Sequence, residues 1–473
     1  MSEETASDDC CGGGDARAPG DDARGTAEDA RATGDDARGT AEDARAAAED
    51  RPEGVSSNPT NPFASGVSRR RVMEASAAAG AAASLAGCGA DSGDGDGATP
   101  TVFVFNNGDR TVSVIDAETD ELLDTVFVDT TASFPANQYG TTTDDEYGVL
   151  WLNVANGVRA LDAASLEELE FVETGFGANY PNLTPDTNHL VVGAGGSLGI
   201  PPEGDADHRI LRVDADPDSD SFGEITGDLS VGYTGPCDAT VGPDGEYAFV
   251  PDVANDTISV VQIDPFEVVE KVDAGEPASG ENVLPFMSTA SFDGEVMLVE
   301  NGEGSLGEDG GTAGSESIWD ISDPTNPEET AKITRDDGLP GLPITSEISP
   351  DGSTGYLFTP AANGLVVVDI EAAEITTTID VGGNTIGGTW GPNREKLYVP
   401  VQDQNEVAVV EGEEVTTRVD AGQNPTGATA GSVRPGDVGT AAQVQASLAS
   451  LGLAVGEKME WTYCPDGHCY CMR

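Results

Sequence analysis

Lysine is nearly missing from this chain. Only Lys271, Lys332, Lys396 and Lys458 occur in 473 residues, and Lys plus Arg total 22 against 86 Asp plus Glu, a formal charge of −64. A field of that sign repels phosphate backbones and anionic headgroups, which excludes nucleic acid as a partner and leaves a lipid anchor as the only route to a membrane. Histidine is as scarce: His189, His208 and His468 are too few for most His-rich catalytic metal centres. No Cys-x-x-Cys-His is present, so covalent haem is excluded. No apolar run approaches the ~20 residues that a spanning helix needs.

The carboxylates that are present are spread over the whole chain. At low salt their self-repulsion opposes compaction, whereas in molar salt the Debye length falls to ~3 Å and the repulsion largely vanishes. Such a surface reads as halophilic, of the archaeal kind. A chain of 473 residues is too long for one ordinary core, so tails around a large domain or a repeat array are expected.

An export signal stands ahead of that domain. Ser68-Arg69-Arg70-Arg71-Val72-Met73 precedes an uncharged, Ala-rich stretch from Ala75 to Ala86 that ends Leu85-Ala86-Gly87-Cys88. The paired Arg69 and Arg70 resemble a twin-arginine signal, and Leu-Ala-Gly-Cys resembles a lipobox that leaves Cys88 as a lipidated N-terminus. Residues 1–67 contain a 14-residue duplication (Gly20 to Thr33, Gly34 to Ala47) and almost no large aliphatic side chain, so they cannot bury a core. They are either a disordered leader or lie before a start further downstream. Asp91 to Gly97 reads as an acidic spacer.

From Thr101 to Val433 one phrase recurs. An alternating apolar strand such as Thr101–Asn106 is followed by a second (Thr111–Asp116) and a third (Thr125 to Val128), then by a short strand closed at a turn. Those turns are Pro185-Asp186, Pro243-Asp244-Gly245, Asp293-Gly294, Pro350-Asp351-Gly352 and Pro392-Asn393. Period-2 alternation with such turns gives strands throughout, at the spacing of four-stranded propeller blades. Second strands begin near 102, 147, 188, 246, 295, 354 and 396, and inner strands near 138, 178, 236, 286, 344, 386 and 425. The fold expected is an all-β, seven-bladed β-propeller in which Asn424–Ala430 pairs beside Thr101–Asn106 and leaves no free edge. A short helix (Thr440 to Leu451) and a Cys-rich tail follow.

The repeats resemble the YVTN (Tyr-Val-Thr-Asn) β-propeller family. The resemblance rests on Val104 to Asp116, on Phe249 to Val261 and on Tyr398 to Val410. It implies a surface or periplasmic propeller, and implies little about function because fold does not fix chemistry.

Three places could carry chemistry. Long Gly-rich insertions, Gly193 to His208 and Asn301 to Ser317, share one rim, and each contains Gly-Ser-Leu-Gly. Inner strands bring Asn179, Tyr180, Asn182, Cys237, Asp238, Met287, Ser288, Thr345, Ser346 and Glu347 towards the channel, with Cys237 and Met287 as soft ligands if they are neighbours. The tail gathers Cys464, His468, Cys469 and Cys471 around a Pro-Asp-Gly turn. That set suits tetrahedral zinc or Cu(I), or a disulfide from Cys464 to Cys469 or Cys471. The first reading is a lipid-anchored surface module that binds a small ligand or an envelope protein. The alternatives are a metal-binding redox accessory and a lactonase-like propeller enzyme.

Overall fold

The computed structural model describes residues 99–136, 147–154, 157–174, 178–194, 208–232, 238–253, 255–304 and 314–436. Arg69, Arg70, Cys88, Cys237, the stretch from Thr440 to Leu451 and the tail with Cys464, His468, Cys469 and Cys471 lie outside the described residues.

Within each blade successive strands pair antiparallel, and most of the turns between them are too short for any other connection. Six sheets have four strands and the seventh has three, which makes seven blades. Blade five shows the pattern: an inner strand Pro285–Ala290, a second strand Val296–Asn301, a third strand Ser315–Asp320 and an outer strand Glu328–Ile333. Second and third strands are buried on both faces, while outer strands such as Glu374–Asp380 alternate between solvent and blade. Among the described residues, the only helical pieces are the 3-10 turns Arg335–Asp337 and Pro360–Ala362.

The core lies between blades. Leu298 and Ile318 of blade five, for example, pack on Ile348, Leu357, Val366 and Val368 of blade six. Each such side chain contributes ~1.5–3 kcal/mol on burial, and a blade alone offers it nowhere to go. In six blades the pairing of third and outer strands slips by one residue at the same place, as between Val114 and Ile115 or Val367 and Val368. Repeated bulges add right-handed twist, which lets flat sheets fan around an axis.

The chain starts one strand late, and its last strand closes the ring. Pro425–Gly431 lies antiparallel to Thr101–Asn106, with Thr101 opposite Gly431 and Val102 opposite Ala430. Across the seam, the Tyr398 hydroxyl donates to Asp120 Oδ1 at 2.6 Å and Lys396 Nζ to Oδ2 at 2.8 Å. Beyond the closing strand, Arg434 Nη2 reaches Asp116 Oδ2 at 3.0 Å.

Blade two differs from the expected spacing. The inner position beside Val149–Val154 is taken by the segment containing Ala136, whose N–H donates to the Trp151 carbonyl at 2.8 Å. The expected start near 138 comes after this contact, an earlier placement that a fixed repeat length does not anticipate.

Candidate functional site

In blades three to seven the turns between inner and second strands are chemically uniform. Each closes with an N–H donating three residues back: Thr187 to Thr184, Gly245 to Gly242, Gly294 to Ser291, Gly352 to Ser349 and Arg394 to Gly391. The donor residue is left-handed in every case, with φ of 61° at Thr187, 72° at Gly245, 74° at Gly294, 74° at Gly352 and 59° at Arg394. Glycine adopts this region freely, whereas a residue with a Cβ is strained by ~1–2 kcal/mol. Arg394 therefore holds a conformation for which three sister turns use glycine.

Its side chain explains the exception. The guanidinium lies 4.2 Å from the centroid of the Phe292 ring, and burial lowers its pKa below the usual arginine value. Both residues line a cavity of about 260 Å³ at the channel end where inner strands of blades three, four and five run into their turns. Arg394 is the one cation among the residues lining it. The hydroxyl residues Thr240, Ser288, Thr289 and Ser291, together with Asn182 and Tyr180, share the walls.

At the other end the channel is shut. Phe134, Val253, Phe286, Met287, Leu342, Ile344 and Ile386 form one buried apolar cluster, with Tyr180 packed at its edge 5.3 Å from the Phe134 ring. These residues come from five blades, so they can meet only on the axis. Met287 is thus part of an apolar plug. Among the described residues, no three His, Cys, Asp or Glu gather as a metal-binding group.

Between plug and cavity sit buried acids. Asp238 is fully buried and joins three blades: Asn182 Nδ2 donates to it at 3.1 Å, Thr240 Oγ1 at 2.8 Å and the Ser288 N–H at 3.0 Å. Burial pushes its carboxyl up to about 7 in spite of those donors. Glu347, buried at the inner strand of blade six, is also raised by burial. The Tyr180 phenol is raised first by burial and then by the charges of Asp238 and Glu300.

Glu300 and Glu316 were not singled out from the sequence, although a signal exists. They face each other as the next-to-last pair of the second and third strands of blade five. The same pair is Phe105/Val112 in blade one, Asn153/Val158 in two, Gly193/Ile210 in three, Pro251/Ile258 in four, Phe358/Leu365 in six and Pro400/Val407 in seven. Aligning the blades by register would have exposed two acids in a row that is otherwise without charge. Both are fully buried. Burial lifts Glu300 to about 8, and it lifts Glu316 well above the carboxylate range with the Glu300 charge adding to it.

The remaining expected residues are placed as follows. Asn179 is buried, and its N–H donates to the Gly193 carbonyl. Asn301 is buried rather than displayed on the rim, its Nδ2 donating to Val299 O, Ser315 Oγ and Ser317 Oγ. Asn106 makes the same clamp in blade one through Thr111 and Ser113, so Asn301 serves the blade. His208 opens the third strand of blade three at the rim end, while His189 sits at the far end of the second strand, opposite Asp214. The two histidines do not come together.

No protein-family model matches the chain, and no curated protein matches it. Solved structures resemble its fold at low identity. A functionally unknown protein of Desulfotomaculum acetoxidans is 17% identical over 71% of this chain and 100% of its own, with a TM-score of 0.50. The periplasmic gluconolactonase of Pseudomonas aeruginosa is 15% identical over 71% and 99%, with a TM-score of 0.50. Hydrazine synthase of Kuenenia stuttgartiensis is 16% identical over 68% and 99%, with a TM-score of 0.51. What these comparisons and the sheet order establish together is the fold: a seven-bladed β-propeller, of the architecture that includes lactonase-like propellers.

Proposed function

We propose that this propeller is a binding module of the YVTN kind, exported by the twin-arginine route and lipid-anchored through Cys88 on the cell surface of a halophile. Its turn-side cavity takes a small hydroxylated anion. Arg69, Arg70 and the Leu85–Cys88 motif support the export reading. The observation that carries the binding reading is Arg394, which accepts a left-handed backbone to place a guanidinium in a cavity otherwise walled by hydroxyls and apolar surface. In a chain of net charge −64, a cation so placed selects for a carboxylate or similar anion, and the hydroxyls select for a polyol body.

Full-length protein in concentrated KCl is melted with sugar acids and with the matching neutral sugars. Sugar acids raise Tm in the wild type and leave Arg394→Gly unmoved, while that variant melts no lower than wild type without ligand. Equal shifts by acid and neutral sugar, or a shift retained in Arg394→Gly, would sink the cavity reading. Release of Cys88→Ser from the membrane fraction tests the anchor separately.

A further inference from the structure

Side chains two residues apart on a strand face the same way. Leu298 and Ile318 face blade six, so Glu300 and Glu316 on the same strands face it too. Ile348 faces back towards blade five, and so does Ser346. The three polar side chains therefore meet in the interface between the blades. Ser346 is only 3% exposed, and its hydroxyl is near enough to both carboxyls to favour their charged forms. Yet all four carboxyl oxygens and the Ser346 Oγ are buried without a hydrogen-bond partner.

Protonation would let one carboxyl donate to the other, but it leaves two acids in a row that six blades fill without any charged residue. Like residues directly opposite on adjacent strands also repel when ionised. Five orphaned oxygens on side chains facing into one interface are the donor type that a hard cation coordinates.

We infer that Glu300, Glu316 and Ser346 form a buried site for one divalent cation of the calcium type, locking blade five to blade six. Two bidentate carboxylates and a hydroxyl supply five oxygens, within the six to eight that calcium takes, and water or backbone carbonyl completes the shell. The two formal charges balance. The site is separate from the Arg394 cavity and does not depend on how that cavity is used.

The test uses the full chain in concentrated KCl, stripped with chelator. Ca²⁺ is returned, the protein is desalted, and retained metal and Tm are measured. Wild type is expected to retain one Ca²⁺ per chain and to gain about 5 °C. Glu316→Val and Glu300→Gln are expected to lose both responses while giving the far-UV spectrum of the wild type. Glu316→Val restores the type of residue found in the sister blades and so guards against simple misfolding. Equal Ca²⁺ shifts in wild type and variants would assign the effect to the acidic surface and overturn the site. So would a wild type that retains no metal, which would leave the pair holding protons only.

Discussion

Replacing Glu316 by valine should stabilise the calcium-free protein. Valine has nearly the volume of glutamate, so no cavity is left, and it matches Val112, Val158 and Val407 at the same position of other blades. Removing a buried carboxyl with no hydrogen-bond partner relieves ~1–3 kcal/mol. Burying the valine methyls adds ~1.5 kcal/mol. The variant should gain about 2–4 kcal/mol at neutral pH, or about 4–8 °C for a fold of this size. The gain depends on pH in a fixed sense. Folded Glu316 keeps its proton well above the usual value of 4.5, while the unfolded chain loses it there. Between those limits the folded state binds more protons, so wild-type stability falls as pH rises, by about 1.4 kcal/mol per pH unit for each such group. Glu300, raised from 4.5 to about 8, slopes in the same direction and remains in the variant. The advantage of Glu316→Val therefore widens as pH rises above about 4.5 towards the raised Glu316 value. Thermal melts in chelator across that range measure it. A variant that melts lower than wild type throughout, or by a pH-independent difference, would refute the reasoning.

Two further outcomes test the framework. Asn301→Ala should destabilise by about 1–3 kcal/mol, because it removes the buried amide that donates to Ser315 and Ser317 of the third strand, and Asn106→Ala should do the same in blade one; chemical denaturation of the pair checks that both act as clamps. Tyr398→Phe removes the 2.6 Å bond to Asp120 at the seam and should cost about 1 kcal/mol. Its hydrogen exchange should quicken first in Thr101–Asn106 and Pro425–Gly431, whose pairing closes the ring.

Much of the fold was legible because its causes are local. Alternation in Thr111–Asp116 or Glu406–Glu411 and the Pro-Asp-Gly turns act within a few residues, and their recurrence counts the blades. Ring closure by Pro425–Gly431 also followed from counting strands. The inner segment of blade two was expected too late because the repeat length is not constant from blade to blade, and Ala136 already bonds the second strand. Asn301 read as a rim residue because it begins an insertion, while its side chain turns inward to the same clamp as Asn106.

By itself, the sequence determined the all-β propeller, the number of blades and the order in which the ring closes, since hydrophobic period and turn chemistry are local and repeat. Among 86 carboxylates suited to salty water, the inner-strand spacing set apart Asp238 and Glu347. Only the tertiary structure separated Glu300 and Glu316 from the rest, because their burial arises when blades pack face to face. Likewise, only packing brought Arg394 of blade seven over Phe292 of blade five, across more than a hundred residues of chain that no local pattern spans.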